Sequence, residues 1–122
     1  MLLELDFTGE TPIYAQIRNQ IVRSIAGGEL NQGDKLPTVR ALADEAGINM
    51  MTVSKAYQLL KSEGYIETDR RLGAVIKGRG VKSGLSTRSQ EELSLIAAEA
   101  RLAGLSEQEF TAICKKAYTE GI

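Results

Sequence analysis

Residues 42–60 read LADEAGINMMTVSKAYQLL. Leu42, Ala43 and Ala46 recur at helical spacing and then meet Gly47, the residue type that takes a left-handed backbone without strain. Ile48 plugs the turn and Asn49 is a good N-cap for a second helix. Apolar residues then resume at Val53, Ala56, Tyr57 and Leu60, the i, i+3, i+4, i+7 pattern of one helical face. A good helix is therefore stopped for a short turn and restarted, with Met50, Met51 and Thr52 facing away from the new apolar stripe. Folding alone gives no reason for that outward group.

Geometry gives one. A helix, a turn containing glycine and a second helix allow the second helix to project into the major groove, where its N-terminal residues contact bases. Here those residues are Asn49, Met50, Met51, Thr52, Ser54 and Lys55. The helix N-terminus offers free N–H groups to a phosphate, and a methionine can contact a thymine methyl or a sugar. Arg40, three residues past Pro37 on the outer face of the preceding helix, is a second candidate contact, with Thr38 beside it. The bland alternatives are an αα corner with its methionines turned inward, a surface cation at Arg40, and a winged helix that binds protein instead of DNA.

Working outward, Leu3, Leu5 and Phe7 alternate with polar residues and suggest a short extended arm. Thr11-Pro12 reads as N-cap and first helical position. Ile13, Ile17, Ile21 and Ile25, with Tyr14 and Val22, form an apolar stripe that Gly27-Gly28 ends. ELNQGDKLP reads as a polar turn, and Pro37-Thr38 opens the next helix, with Val39, Leu42, Ala43 and Ala46 inward. After the restarted helix, about 49–63, Gly64 intervenes. Tyr65–Thr68 and Ala74–Ile76 then read as two strands around a tip from Asp69 to Gly73, giving a wing at about 65–77. Three helices and a hairpin make a winged helix-turn-helix. In the wing, Arg70, Arg71 and Gly73 are candidates to lie beside the minor groove, against the alternative of a solvated turn.

GRGVKSG, residues 78–84, is linker-like, and two capping boxes follow, Ser89-Gln-Glu-Glu92 and Ser106-Glu-Gln-Glu109. Leu105 and Phe110 have the spacing of a hydrophobic staple, and Gly104 divides the two helices. The organisation expected is a winged domain at 1–80, a linker at 81–88 and a two-helix tail at 89–122. The fold class is mainly α, with a small β-hairpin wing. In the tail, Leu93, Ile96, Ala97 and Ala100 form one stripe, with Leu95 and Leu102 on another side. Phe110, Ile113, Cys114, Ala117 and Tyr118 group on the second helix. Two short helices cannot bury apolar surface on several sides by themselves, so Leu93, Ile96, Ala97, Ala100, Leu102, Phe110, Ile113, Ala117 and Tyr118 are expected to form a dimerisation surface. A tail folded back on its own winged domain is the competing arrangement.

Composition narrows the function. With no histidine, the usual general base, the commonest metal ligand and every histidine-containing triad are missing. The glycines of GAVIKGRG do not open a helix, as a nucleotide-binding loop would. Neither a catalytic site, a metal site nor a cofactor is expected. The lone Cys114 excludes an internal disulfide and fits a reducing cytosol. It reads as a small hydrophobe, with a redox or ligand sensor as the other option. The start, MLLELDF, lacks a basic n-region, and no apolar run reaches a membrane span, so a cytoplasmic location is expected. Net charge is −1, which taken alone opposes nucleic acid, but its distribution does not. Between Glu45 and Glu63 the only charged residues are Lys55 and Lys61, and from Arg70 to Arg88 there are six cations and no acid.

The segment from Thr11 to Thr68 resembles the N-terminal domain of the GntR family of bacterial transcription regulators. The resemblance rests on Pro12-Ile13-Tyr14 with Gln16-Ile17, Gly28-Glu29-Leu30, Gly33-Asp34-Lys35-Leu36-Pro37, Arg40-Ala41-Leu42-Ala43, Thr52-Val53-Ser54-Lys55-Ala56-Tyr57 and Gly64-Tyr65-Ile66-Glu67-Thr68. The short tail looks like that of the YtrA-like branch, by length and helix pattern. The resemblance implies DNA contacts at Arg40, at Thr52 and its neighbours, and at the wing tip. It also implies a homodimeric repressor on a palindromic operator in double-stranded DNA, with transporter genes as targets. The chain departs from the family pattern at Met50 and Met51, and in the wing, where Asp69-Arg70-Arg71-Leu72-Gly73 replaces arginine-arginine-glycine-lysine-glycine. A tail this small cannot enclose an ordinary effector pocket, so an effector would bind between domains or subunits.

Overall fold

The computed structural model of the chain describes residues 3–78 and 84–121. Helices α1 (Ile13–Ala26), α2 (Val39–Ala46) and α3 (Met50–Ser62) precede strands β1 (Ile66–Asp69) and β2 (Gly73–Ile76), and helices α4 (Thr87–Leu102) and α5 (Glu107–Glu120) follow. The chain divides into two compact units, Met1–Val81 and Lys82–Ile122. Residues 81–83 of the expected linker, together with Arg79 and Lys82 of the basic segment, lie outside the described residues.

In the first unit α3 packs on α1, α2 and β1. Ile17, Ile21, Leu42, Val53, Leu60, Ile66 and Ile76 are all essentially inaccessible and belong to one cluster. Burying each such side chain contributes roughly 1.5–3 kcal/mol of transfer free energy, so this cluster dominates the unit's stability. The break between α2 and α3 forms as the glycine demands. Gly47 sits at φ 68°, ψ 37°, and the Ile48 N–H donates to the Ala43 carbonyl at 3.0 Å. Thr38 Oγ1 caps α2 by accepting from the Ala41 N–H, and Asn49 Oδ1 caps α3 by accepting from the Met51 N–H at 2.7 Å.

The structure corrects the sequence reading at five places. Thr11 is not the cap of α1. Pro12 holds that position with no side-chain cap, and Gln16, one turn inside the helix, donates from Nε2 to the Thr11 carbonyl. Phe7 does not join the arm's apolar side: Leu3 and Leu5 pack on the core, whereas Phe7 is exposed. ELNQGDKLP is more than a turn, since its end forms a third rung on the free edge of β2. Gly33 N–H donates to the Ile76 carbonyl, Ile76 N–H to Asp34, and Leu36 N–H to Ala74, with Leu36 buried. In the wing β1 is displaced by one residue and β2 begins one residue earlier than read, so Asp69 and Gly73 form the last pair instead of belonging to the tip. The fifth place is α4, which is capped by Ser86 accepting from the Ser89 N–H and starts at Thr87, inside the segment read as linker. Glu92, expected in a capping box with Ser89, pairs with Arg88 one turn back. Ser106 and Glu109 do form their box at α5.

The N-terminal arm is held by side chains that imitate a neighbouring strand. Gln16 Oε1 accepts from the Asp6 N–H at 2.8 Å while its Nε2 donates to the Asp6 carbonyl. One helical turn later Gln20 does the same to Glu4. A spacing of four along the helix matches a spacing of two along the extended arm. Gln16→Ala removes the amide that serves Asp6 and Thr11 together. It should destabilise the winged unit by about 1–3 kcal/mol in urea unfolding and raise exchange at the Asp6 amide. Unchanged exchange there would mean that the arm is held by Leu3 and Leu5 alone.

Candidate nucleic-acid interface

Helix α3 is two-sided. Val53, Ala56, Tyr57 and Leu60 are buried, while Met50 is 43% and Met51 79% exposed. Methionine side chains that hydrophobicity would place inside instead stand in solvent on the first turn of the helix. Lys55 and Gln58 are exposed and follow Met51 at i+4 and i+7, so one outward stripe runs along the helix. Thr52 and Ser54 flank it and are half-buried, and Ser54 Oγ accepts from Gln58 Nε2 at 3.5 Å. Asn49 is exposed, but its Oδ1 is occupied in capping.

Arg40 is exposed on the second residue of α2 and, among the described residues, makes no ion pair. Thr38 is exposed with its oxygen on the Ala41 N–H. The start of α2 is fixed from beneath: Tyr57 donates from its hydroxyl to the Pro37 carbonyl at 2.8 Å, and burial pushes the tyrosine pKa up. The wing tip is ordered by Asp69 Oδ1, which accepts from the Arg71 and Leu72 N–H groups at 2.7 and 3.1 Å. Gly73 follows at φ 81°, and Arg70, Arg71 and Leu72 are all exposed. Lys61 Nζ donates to Thr68 Oγ1, and Arg18 forks onto Glu63 at 2.8 Å with Tyr65 beneath its guanidinium, so both strand β1 and the end of α3 are tied down. The predicted DNA contacts thus fall on α2, α3 and the wing of one unit, elements that share one core cluster.

Sequence reasoning missed Tyr14, whose ring lies 4.1 Å from Lys55 Nζ, because an aromatic in an apolar helical stripe reads as core. It also missed Gln58, which the spacing from Met51 would have found.

In the second unit the apolar side chains lie largely outside. Leu102 is 89% and Tyr118 93% exposed; Leu95, Ile96 and Ile113 are more than half exposed, and Leu93 and Ala117 are also exposed. Ala97, Phe110 and Cys114 are half-buried. Ala100 departs from the expected dimerisation surface, being 8% exposed in the single chain. The Gly104 turn brings the Leu105 N–H back to the Ala100 carbonyl, which leaves that residue little surface for a partner.

Among the described residues no group of acids and cysteine is placed to hold a metal ion, and no helix is long and apolar enough to cross a membrane. The family of bacterial regulatory proteins called gntR matches residues 13–76. The transcriptional repressor YtrA of Bacillus subtilis is 38% identical over 107 residues, which cover 85% of this chain and 82% of that protein. A solved structure of YtrA from Sulfolobus acidocaldarius, a GntR-family transcription factor, is 39% identical with a TM-score of 0.65, over 82% of this chain and 99% of that one. The DNA-binding domain of AraR, solved in complex with its operator ORX1, is 29% identical with a TM-score of 0.55, over 61% of this chain and 95% of that one.

Glu109 links acidity to the order of α5. Its carboxylate accepts from the Ser106 backbone N–H at 2.9 Å and from the Ser106 side chain, which together hold its pKa below the ordinary 4.5. A depressed carboxylate stabilises the fold above its unfolded value, and that contribution is lost as pH falls through the folded value. Amide protection at the start of α5 should therefore weaken on acidification below about pH 4.5. In Glu109→Gln this acid-dependent part should vanish.

Proposed function

The chain belongs to the GntR family of bacterial regulatory proteins, and we propose that it represses transcription as a homodimer bound to a palindromic operator. It is a DNA-binding regulator of transcription and not an enzyme. One observation carries the mode of reading: α3 buries its whole back face in the core and leaves Met50 and Met51 in solvent at its N-terminal end. In this reading Met50, Met51 and Thr52 meet base edges in the major groove, with Asn49 and Ser54 beside them and Lys55 on a phosphate. Arg40, next to Thr38, contacts the DNA from α2. Arg70 and Arg71 reach toward the neighbouring minor groove from a tip turned by Gly73.

The operator-bound AraR domain supports DNA as the ligand, and the repressor YtrA supports the sign of regulation. The exposed apolar residues of α4 and α5 support the dimer, because single chains seldom leave so much apolar surface uncovered. Leu93, Ile96, Leu102, Ile113, Ala117 and Tyr118 are the residues we assign to its interface, with Ala97 and Phe110 at the margin. A two-fold dimer presents two copies of α3 to half-sites about 34–36 Å apart or a multiple of that.

Selection from a random DNA library followed by footprinting tests the reading, and recovery of no palindromic consensus would sink it. Arg40→Ala should weaken operator binding by about 1–3 kcal/mol. Replacing Arg70 and Arg71 together by alanine should flatten the plot of log K against log salt by ~0.9 per lost phosphate contact while leaving the consensus unchanged. Truncation after Val81 should give a monomer that keeps the consensus but binds the whole operator ~10²–10⁴-fold more weakly, since the second half-site contact is no longer tethered. Sedimentation and titrations on half and whole operators check this. A truncated chain that still sediments as a dimer would assign the interface to the winged unit.

A further inference from the structure

We infer that Tyr14 is a positioning residue of the DNA interface: its ring face holds the Lys55 ammonium so that α3 meets a phosphate with an ordered cation whose charge is intact. The inference rests on the reading of the outer face of α3 given above, and it adds a residue from α1 to that face. Lys55 Nζ lies 4.1 Å from the centroid of the Tyr14 ring, well inside the range of cation–π attraction.

Lys55 has no carboxylate to answer to. No acid occurs between Glu45 and Glu63, and Glu63 is engaged through both of its oxygens by Nε and Nη2 of Arg18. The salt bridges Arg18–Glu63 and Arg88–Glu92 do not involve Lys55. A carboxylate partner would order the lysine but cancel the charge that a phosphate needs. An aromatic quadrupole orders it without cancelling anything. A lysine side chain has much rotamer freedom to lose on binding, and a ring that already restricts it lowers that loss.

Position and chemistry agree. Lys55 is exposed and lies one turn after Met51 on the outward stripe. Tyr14 is half-buried, packs against the core cluster and so gives the ring a fixed seat.

The test is a double-mutant cycle in the full-length chain, titrating a mixed-sequence DNA duplex at several salt concentrations with Tyr14→Leu, Lys55→Met and the pair. Tyr14→Leu should lower affinity by about 2- to 5-fold, the scale of an exposed cation–π contact. The same substitution should have no further effect once Lys55 is methionine. Tyr14→Phe should bind like the parent. Equal losses from Tyr14→Leu in both backgrounds, or a Tyr14→Phe variant as weak as Tyr14→Leu, would overturn the inference. So would a Lys55→Met variant with parental affinity and salt slope. If Met51 and Thr52 variants were also silent in consensus selection, the wider reading of α3 would fail with it, and normal results for those variants would confine the failure to Lys55 and Tyr14. A second readout needs no variant to fold. In the free parent protein the Lys55 Hε resonances should be displaced upfield by the ring current of Tyr14, and ordinary lysine shifts would equally overturn the inference.

Discussion

The structure depends on burying one side of α3 while the other side stays bare. Val53, Ala56 and Leu60 are fully inaccessible, whereas Met50 and Met51 remain exposed. An outward face of this kind adds little to stability in the free protein, so the back of the helix supplies most of its rigidity. Isoleucines 17, 21 and 25 of α1, Leu42 of α2, and Ile66 and Ile76 of the wing share the buried cluster with it. Ala56 is the small member of that face, and a larger side chain in so closed a place would force neighbouring elements apart.

Polar contacts then decide where each element ends. Tyr57 fixes the Pro37 turn ahead of α2, Lys61 fixes β1, and the fork of Arg18 on Glu63 fixes the junction between α3 and the wing. None of them is a large source of stability. The Arg18–Glu63 pair keeps 24% and 31% of its side-chain surface in water, where such pairs are worth about 1 kcal/mol or less. Their effect is geometric. Core burial holds the unit together without distinguishing closely similar placements of α2 and the wing, whereas directional bonds at the element ends do distinguish them. Electrostatics follows the same division of labour: a chain of net charge −1 keeps its acids off the outer face of α3 and off the wing tip beyond Asp69, and Asp69 turns its oxygen to the backbone.

The second unit is built differently. Helix caps at Ser86 and Ser106 and the turn at Gly104 define α4 and α5 locally, yet the large apolar side chains remain outside. Local signals thus suffice to shape these helices without supplying a core. That contrast with the first unit, where nearly every apolar stripe is buried, is the physical basis for proposing that the tail associates between chains.

What the sequence by itself determined is whatever depends on near neighbours: the break at Gly47, the caps at Asn49 and Ser106, and the face formed by Val53, Ala56, Tyr57 and Leu60. These rest on backbone stereochemistry and helical period, which a short window contains. The winged-helix architecture and the family were legible for the same reason, since their motifs are local. Tertiary structure decided the rest. The third rung of the wing pairs residues 33–36 with 74–76, a contact no local pattern announces. The strand-like use of Gln16 and Gln20 needs the arm to lie along α1. Ser86 took the cap from Ser89 because two overlapping serine signals were both adequate and the longer helix gained three further residues. Tyr14 looked like core because its stripe is core, and only the approach of α3 to α1 set a lysine over its exposed face.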